Sequence, residues 1–448
     1  MCKEKLMMKR RDLLKATAAT FFASAIDNSD SLANSSAGNR PPREVVWNRR
    51  IPVRWEVDVA VIGGGIAGVS AACAAAESGA KVALVERFAI CGGDLTSGGV
   101  GNFSGRLNGN GRTFDEVVAD LKKWDSIGQP RAAIFDHEIL AVVLQELVLR
   151  HGVKMLLHTR FADVCSEGGR ISACILAGFS GPEALAAKQF IDCTGGGDVA
   201  RTAGCNVMIS NEPLPMSMMY FVREGENAGP RMPEDWPTTG KELPRRSVWP
   251  NGPGEKAMKQ WIFKHSSIDT EAMTAAEIAA RRTSMERHAD DVKSGKNWRY
   301  DHCSPIVGIR EGCRIVGDYV LGVQDLLDGR SFADGVAVGT YQLDNHIPGA
   351  PMAYKQVPPY QIPLRSLIAR DAKNLLMAGR CFSCDQLALS SARVSTSGSM
   401  MGQAAGIAAA MAAGKGCDVR DLDPGNIRTA LIKRGASLNV DNLGKEAE

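Results

Sequence analysis

The sequence contains no long apolar run and no strong excess of charge of either sign. Nowhere in its 448 residues do about 18 uncharged apolar residues follow one another, so no transmembrane span is expected. Lysine and arginine total 53 against 50 acidic residues, which leaves a net charge of +3. A chain so close to electrical neutrality gives no indication of a nucleic-acid partner. The composition is that of an ordinary globular protein, and its length suits two domains.

Clustered metal-binding cysteines are also missing. The 12 cysteines include no C-x-x-C-x-x-C run, so no iron–sulfur cluster is expected. No residues are predicted as metal ligands. Most of them lie in apolar segments, where a small buried thiol is the ordinary role. Cys381 and Cys384 form one C-x-x-C pair. A structural role is favoured because the thioredoxin-like helix context is missing, while a disulfide or a redox role stays open.

The N-terminus is basic and has the features of a targeting segment. Residues 9–15, KRRDLLK, resemble a twin-arginine export signal, and a short apolar region with a possible cleavage site follows. This predicts a signal over residues 1–25, passage of the folded chain through the twin-arginine export machinery, and a periplasmic or secreted location. A basic amphipathic or disordered leader is the alternative. The polar stretch that follows predicts a disordered linker over residues 26–53.

The segment from Val57 to Glu86 has the order strand, glycine turn, helix, strand and acid. A short apolar run leads into the spacing G-x-G-x-x-G at Gly63, Gly65 and Gly68. The first glycine permits a tight turn, the second a close approach to a pyrophosphate, and the third close packing of the helix on the sheet. Glu86 ends the second strand, where a carboxylate accepts hydrogen bonds from ribose hydroxyls. The pattern predicts dinucleotide binding.

Apolar periodicity indicates further elements along the chain. A glycine-rich loop spans 92–111, and helices are predicted over 114–124, 135–150, 274–294 and 398–413. Strands are predicted over 153–158, 160–165, 170–176, 188–193, 206–223 and 374–379. The strands between 160 and 193 form a predicted meander that returns into a parallel sheet. The strand over 206–223 is expected in a different layer.

Seven segments together carry a family resemblance. They are VAVIGGGIAGVSAACAAAESGAKVALVE, CGGDLTSGG, FIDCTGGGDVARTAG, REGCRIVGDYVL, YQIPLRSLI, NLLMAGRCFS and SARVSTSGSMMGQAAGIAAAMA. They resemble FAD-dependent oxidoreductases related to the flavin module of heterodisulfide reductase. The resemblance implies an α/β fold, with a Rossmann-like, glutathione-reductase-like FAD-binding domain and an inserted α+β substrate or cap domain. The FAD-binding domain is expected at 54–205 and 363–415, the cap domain at 206–362, and a C-terminal tail at 416–448.

The resemblance also implies which residues hold the FAD. The expected contacts, from the pyrophosphate and adenosine towards the flavin, are Gly63, Gly65, Gly68, Glu86, Arg87, Gly92, Gly93, Thr194, Gly195, Asp198, Gly379, Arg380, Gly402 and Gln403. The helix from Gly402 and Gln403 is expected to point its positive end at the flavin N1–C2=O edge, because reduction places negative charge there.

Two departures from the family's pattern matter. Relatives commonly carry a histidine a few residues after the AGR strand, where this chain has Ser383, Cys384 and Asp385. An acid–base role for that loop is therefore not carried over. The iron–sulfur ligands of the heterodisulfide reductase relatives are absent as well, so FAD is expected as the only cofactor.

Two residues are candidates for chemistry beside the flavin. His346 is the candidate proton carrier, because an imidazole titrates near neutral pH and Asp344 could orient it. Arg393 is a candidate for binding a substrate anion or polarising the flavin carbonyl. A surface histidine and a helix-flanking surface arginine are the alternatives. Arg310 is expected to pair with Glu311 or a neighbouring loop, and Arg314 is expected to do the same.

The sequence therefore predicts an exported FAD-dependent oxidoreductase. It would transfer hydride or electrons between bound flavin and a small organic substrate, with an electron acceptor that the residues do not specify. One alternative is a flavin-binding lyase, hydratase or isomerase without net redox chemistry. Another is a nucleotide-binding scaffold or an electron-transfer subunit related to heterodisulfide reductase.

Overall fold

The computed structural model describes residues 45–128, 133–225, 243, 246–250, 255–347 and 354–440. The elements discussed below belong to one compact unit, Ile51–Glu448. The predicted export signal, residues 1–25, lies outside the described residues. In the segments that the structure describes, no helix is both long and apolar enough to cross a membrane.

The structure contains 15 strands and nine α-helices among the described residues. The strands are β1 Val53–Ile62, β2 Val82–Val85, β3 Lys154–Leu156, β4 Arg160–Glu167, β5 Arg170–Gly178, β6 Gly181–Asp192, β7 Val207–Met208, β8 Met216–Glu224, β9 Arg246–Pro250, β10 Glu255–Ile262, β11 Trp298–Cys303, β12 Arg314–Ile315, β13 Gly335–Gly339, β14 Tyr360–Pro363 and β15 Leu375–Met377. The α-helices are α1 Ile66–Glu77, α2 Arg112–Lys123, α3 His137–Arg150, α4 Asp198–Thr202, α5 Thr270–Lys293, α6 Val323–Leu327, α7 Gln386–Ala392, α8 Ser395–Lys415 and α9 Pro424–Lys433.

The main sheet is parallel around β1. Its parallel order is β3-β2-β1-β6-β15, and β4 and β5 form an antiparallel meander against the first half of β6. The fully buried Val59, Ala60 and Val61 make β1 a central strand covered on both faces. The predicted α/β class and the parallel sheet are confirmed, and the order of β1, α1 and β2 is Rossmann-like.

A second, antiparallel sheet is built from residues 216–303. Its order is β11-β8-β10-β9, and α5 packs on one face through Ala276 and Ala280. The single strand expected over 206–223 is divided into β7 and β8, because Pro213 and Pro215 lack the N–H groups that a strand donates. α5 begins four residues earlier than expected, because the side chain of Asp269 accepts a hydrogen bond from Ala272 N at 2.8 Å.

The segment expected as a C-terminal tail, residues 416–448, contains ordered elements among its described residues. A short 3₁₀ turn, Val419–Asp421, is followed by α9. Ile427 and Leu431 of α9 are buried in the main hydrophobic core. The expected boundaries of the FAD-binding and cap domains stay predictions.

Helix α8 is longer than expected. It extends from Ser395 to Lys415, whereas a helix over 398–413 is predicted from the sequence. Nearly all of its residues are buried, and it lies mainly against α1. The hydroxyl groups of Ser70 in α1 and Ser399 in α8 are hydrogen-bonded across this contact at 2.8 Å.

Two glycines let α8 lie directly on the backbone of α1. A Cβ added at Gly402 would lie 2.1 Å from the carbonyl oxygen of Ala67, and one at Gly406 would lie 2.2 Å from that of Ala71. Residues four apart share one helical face, so the two glycines and the two alanines meet in register. No larger residue fits either position without moving one of the helices.

The close crossing predicts a position-dependent effect of alanine in α8. Gly402→Ala or Gly406→Ala should destabilise the protein by about 1–3 kcal/mol, because the new methyl group meets a backbone oxygen that cannot move away. Thermal melts of the purified variants measure the effect. The matched control is Gly414→Ala in the same helix, since a Cβ there meets nothing within 4 Å. It should be neutral or stabilising by up to about 1 kcal/mol. Similar melting temperatures for Gly402→Ala and Gly414→Ala would contradict the crossing.

Candidate active site

An elongated cavity follows the carboxyl edge of the parallel sheet. The turns that follow β1, β2, β6 and β15 line it, and it continues to the second sheet, where β8 and β10 contribute Ser217 and Lys259. Ligands of open parallel α/β sheets bind at this edge, because the loops and helix N-termini meet there. The cavity is therefore the candidate site for a dinucleotide and a substrate.

The three glycines of the turn after β1 have different surroundings. A Cβ at Gly63 would lie 2.4 Å from the oxygen of Cys193, and one at Gly68 would lie 1.8 Å from the oxygen of Gly63. At Gly65 a Cβ would meet nothing within 4 Å, and this glycine lines the cavity. The outer glycines therefore permit close backbone packing. The middle one keeps space open beside the first turn of α1, whose N–H groups attract an anion such as a pyrophosphate.

Glu86 is buried at the end of β2 with its carboxylate fixed by two backbone amides. Gly64 N donates to Oε2 at 2.7 Å, and Phe88 N donates to Oε1 at 2.8 Å. Each carboxylate oxygen keeps a lone pair for a further donor, which suits a ribose hydroxyl. Arg87 is exposed at the same end of the cavity, with its guanidinium 4.7 Å from the ring centroid of Phe88.

Gly92 and Gly93 bring the following loop against the glycine turn. Gly92 N donates to Gly64 O at 2.8 Å, and both residues have positive φ, 114° and 58°. The loop continues to Asp94, whose Oδ2 accepts a hydrogen bond from Arg380 Nη1 at 2.6 Å. The Nε of Arg380 is buried and has no hydrogen-bond partner among the described residues. One donor of this arginine thus stays available to a ligand.

Asp192 organises the turn after β6, a role that sequence reasoning missed. Its carboxylate is fully buried and accepts hydrogen bonds from Thr194 N at 3.0 Å, Thr194 Oγ1 at 2.7 Å, Val199 N at 2.9 Å and Ala200 N at 3.1 Å. Burial raises the pKa of Asp192 to about 6, although these hydrogen bonds oppose the rise. The carboxylate caps α4 and fixes Thr194 on the cavity wall.

Helix α8 directs its first turn at the cavity. Ser395 and Gly398 line it, whereas Gly402 and Gln403 lie about two turns further along, outside the residues that line it. The positive helix end expected at Gly402 and Gln403 is thus corrected to the turn that begins at Ser395. Gly402 serves the crossing with α1. Gln403 is buried beside the start of α2, where its Nε2 donates to Asn110 O at 2.8 Å.

The cavity end beside the second sheet carries more positive than negative groups. Its charged lining residues are Lys259, Arg310, Arg380, Arg393, Asp94 and Asp344. Arg393 is largely buried, with 12% of its side chain exposed, and donates from Nη2 to the backbone oxygen of Asp344 at 3.1 Å, with the carboxylate Oδ2 at 3.5 Å. Its Nε has no hydrogen-bond partner among the described residues.

Arg310 lies in this wall and is not part of the expected ion pair. Its Nη1 donates to Pro215 O at 2.7 Å and to Ser217 Oγ at 3.2 Å, and its guanidinium lies 4.3 Å from the ring centroid of Trp261. Burial, and next the charge of Arg393, lower the pKa of Arg310 to about 9, so it stays cationic at neutral pH. Arg314 does form the ion pair with Glu311 that was expected of it.

Lys259 of β10 is a cavity residue that sequence reasoning missed. Burial and the charges of Arg310 and Arg393 lower its pKa to about 7, while Asp344 opposes the shift. A signal was present, because Lys256 and Lys259 lie three positions apart in one strand. Side chains at that spacing point to opposite faces, so one of the two has to face inwards.

His346 lies behind Asp344 and not on the cavity surface. Its Nε2 is 2.7 Å from Asp344 Oδ1, and its Nδ1 is 2.5 Å from the hydroxyl of Tyr354. Burial lowers the pKa of His346 to about 4, although the nearby Asp344 raises it in part. The imidazole is therefore neutral at neutral pH. Burial alone would raise the pKa of Asp344, but His346 and Arg393 together hold it below its usual range. Asp344 is therefore the group that faces a ligand.

Most of the expected FAD contacts come together around this cavity. Those that line it are Gly63, Gly65, Glu86, Arg87, Gly92, Gly93, Thr194, Gly195, Asp198, Gly379 and Arg380.

Cys381 and Cys384 are separate buried thiols, and burial holds the pKa of each well above its usual range. A role for these two thiols as nucleophiles is disfavoured by such pKa values.

The sequence model of the family described as "FAD dependent oxidoreductase" matches residues 58–431. The chain belongs to this family. It is an FAD-dependent oxidoreductase, and its cofactor is FAD.

Similarity to individual proteins is weaker. This oxidoreductase is 26% identical over 184 residues to the thiamine thiazole synthase of Methanococcus aeolicus, a match that covers 38% of this chain and 68% of that protein. It is 28% identical over 151 residues to that of Pyrococcus horikoshii, covering 32% and 58%. Among solved structures, a geranylgeranyl bacteriochlorophyll reductase-like protein from Thermoplasma acidophilum has 12% identity and a TM-score of 0.46, covering 87% of this chain and 95% of the other. The anhydrotetracycline hydroxylase OxyS from Streptomyces rimosus has 14% identity and a TM-score of 0.43, covering 85% and 66%.

The residues that line the cavity of this oxidoreductase fit FAD. The open space at Gly65 and the first turn of α1 suit the pyrophosphate, and Glu86 suits the adenosine ribose. The Nε of Arg380, for which the described part of the chain supplies no partner, and the first turn of α8 offer further donors. Both features suit the flavin of FAD, which gains negative charge on reduction.

The different surroundings of the glycines predict different effects of alanine on FAD content. Gly65→Ala should fold, because its φ of −63° and ψ of 175° suit alanine, yet it should lose most of its FAD because the methyl group enters the pyrophosphate space. Gly68→Ala should fail to fold, because its Cβ would overlap Gly63 O. Flavin absorbance per mole of purified protein and thermal melting measure the two effects. A Gly65→Ala protein with full FAD content would contradict this assignment of the pyrophosphate space.

Proposed function

We propose that this FAD-dependent oxidoreductase transfers hydride or an electron pair between its flavin and a small organic substrate bound at the second-sheet end of the cavity. The observation that carries the proposal is the continuity of the cavity. It extends from the glycine turn and Glu86 to a wall of polar and charged side chains on β8, β10 and the loop before α8. Bound FAD supplies the redox chemistry, and the protein supplies placement and proton transfer.

The proposed proton carrier is a chain of three groups, Asp344, His346 and Tyr354. Their contacts are 2.7 Å and 2.5 Å long, and Tyr354 is 44% exposed. Since Asp344 is ionised and His346 neutral, the tautomer with hydrogen on Nε2 donates to Asp344 and accepts at Nδ1 from the tyrosine hydroxyl. A shift along these bonds moves a proton from the surface to Asp344. His346 has a φ of 60°, a backbone conformation that costs free energy and supports a functional placement.

The test is anaerobic mixing of the FAD-loaded protein with sugars, acids, steroids and lignin-like aromatics, followed by flavin absorbance. At least one compound is expected to bleach the flavin. His346→Gln should slow the bleaching by about 100-fold and change its solvent deuterium isotope effect, because the proton chain is broken. Tyr319→Phe is the control, since that hydroxyl bonds Asp325 at 2.8 Å and does not line the cavity. Unchanged bleaching in His346→Gln would remove the chain from the mechanism.

The same experiment separates the alternatives. Product formed while the flavin stays oxidised would favour a lyase, hydratase or isomerase and would overturn the redox proposal. The narrower relationship to the flavin module of heterodisulfide reductase is part of our proposal and is supported by the NLLMAGR and GQAAGIAAA motifs. So is the glutathione-reductase-like subtype with an inserted substrate domain, which the separate sheet of residues 216–303 supports. An electron acceptor of unspecified identity would reoxidise the flavin.

Export through the twin-arginine machinery is a further part of the proposal. It rests on the segment KRRDLLK and predicts a periplasmic or secreted protein. Replacing Arg10 and Arg11 together by lysine should retain the protein in the cytoplasm of a bacterial host that has this machinery, although the charge is unchanged. Cell fractionation and immunoblotting measure the distribution. Lys5→Gln is the matched control and should still be exported. Equal export of the double variant and the wild type would exclude this route.

A further inference from the structure

We propose that the cationic end of the cavity, defined by Lys259, Arg310 and Arg393, binds a carboxylate group of the substrate. The inference rests on the proposed function, because it assigns a chemical class to the substrate of the same site. Three separate parts of the fold supply the group: β10 carries Lys259, the loop before β12 carries Arg310, and the turn between α7 and α8 carries Arg393.

The cations at this end outnumber the acids. Asp94 is paired with Arg380 at 2.6 Å, and Asp344 is shared between Arg393 and His346. No carboxylate among the described residues lies within ion-pair distance of Arg310, whose partners are a carbonyl, a hydroxyl and an aromatic ring. Uncompensated buried charge is costly, so an anionic ligand at this wall would be stabilising.

The FAD itself does not account for all of this charge. Its pyrophosphate is expected at the first turn of α1, which includes none of the three cations. The first turn of α8 and the Nε of Arg380, which lacks a partner among the described residues, already offer donors to the flavin. Lys259 belongs to the second sheet, which the dinucleotide fingerprint does not include. A second anionic group, carried by the substrate, is the better match for this wall.

A carboxylate fits the donors better than a more highly charged group. The Nε of Arg393 is fully buried, lacks a partner among the described residues and belongs to a planar fork that matches carboxylate geometry. Ser217 and Tyr341 add neutral polar groups to the same wall. The negative charge of Asp344 would repel a doubly charged phosphate more strongly than a singly charged carboxylate.

The test measures binding to the oxidised, FAD-loaded protein and needs no turnover. Benzoate and propionate are titrated against their uncharged amides, benzamide and propionamide, with the flavin difference spectrum as the readout. At least one carboxylate should bind saturably, and at least about tenfold more tightly than its amide. Lys259→Met should weaken carboxylate binding about tenfold without changing amide binding, and Lys259→Arg should restore it in part. Flavin content and thermal melting confirm that each variant is folded.

The matched control is Lys122→Met, which removes the same charge from an exposed position of α2. It should bind carboxylates as the wild type does. Equal affinity for acid and amide, no saturable carboxylate binding, or unchanged affinity in a folded Lys259→Met protein would each overturn the proposal. Binding is measured without flavin bleaching, so the two proposals can fail separately. A protein that bleaches with substrate but does not prefer carboxylates would be a redox enzyme with a neutral substrate. A protein that does not bleach with any compound would lack the proposed activity.

Discussion

The contact between α1 and α8 is the constraint on which the site depends. Gly402 and Gly406 face the carbonyl oxygens of Ala67 and Ala71 at distances that leave no room for a side chain. The first turn of α1 borders the pyrophosphate space, and the first turn of α8 lines the cavity nearer the second sheet. Because protein interiors are close-packed, the separation of these two helix ends is fixed by the crossing and not by the loops between them.

Charge compensation is the second constraint, and it links the parallel sheet to the second sheet. Burial lowers the pKa values of Lys259, Arg310 and Arg393. Repulsion adds to the effect: Arg310 and Arg393 act on Lys259, Arg393 acts on Arg310, and Arg380 acts on Arg393. Asp344 partly offsets them and keeps its own charge through Arg393 and His346. The protein therefore maintains a cationic wall in a buried place, where its effect on an anionic ligand is stronger than it would be in water.

The sequence predicted the glycine turn and Glu86 well, because local spacing alone defines the strand, turn and helix that carry them. The start of α8 was predicted three residues too late, because small residues fill the segment without a clear N-cap. For the same reason the positive end of the helix was expected at Gly402. Asp192 was missed because its role depends on hydrogen bonds to amides seven and eight residues later. His346 was a candidate from its chemistry, but spacing could not tell which side chain of the loop faces the cavity.

The sequence by itself determined the cofactor-binding half of the protein. A strand, a glycine turn, a helix and an acid lie within 57–86, so backbone conformation and short-range packing suffice to define that half. Only the tertiary structure decided which residues form the end of the cavity that is proposed to bind the substrate. Lys259, Arg310 and Arg393 are distant in the chain, and each is an ordinary cationic residue until the fold buries it beside the others. The physical reason is that burial and the repulsion of neighbouring cations, which lower the pKa values of these groups, arise from long-range packing.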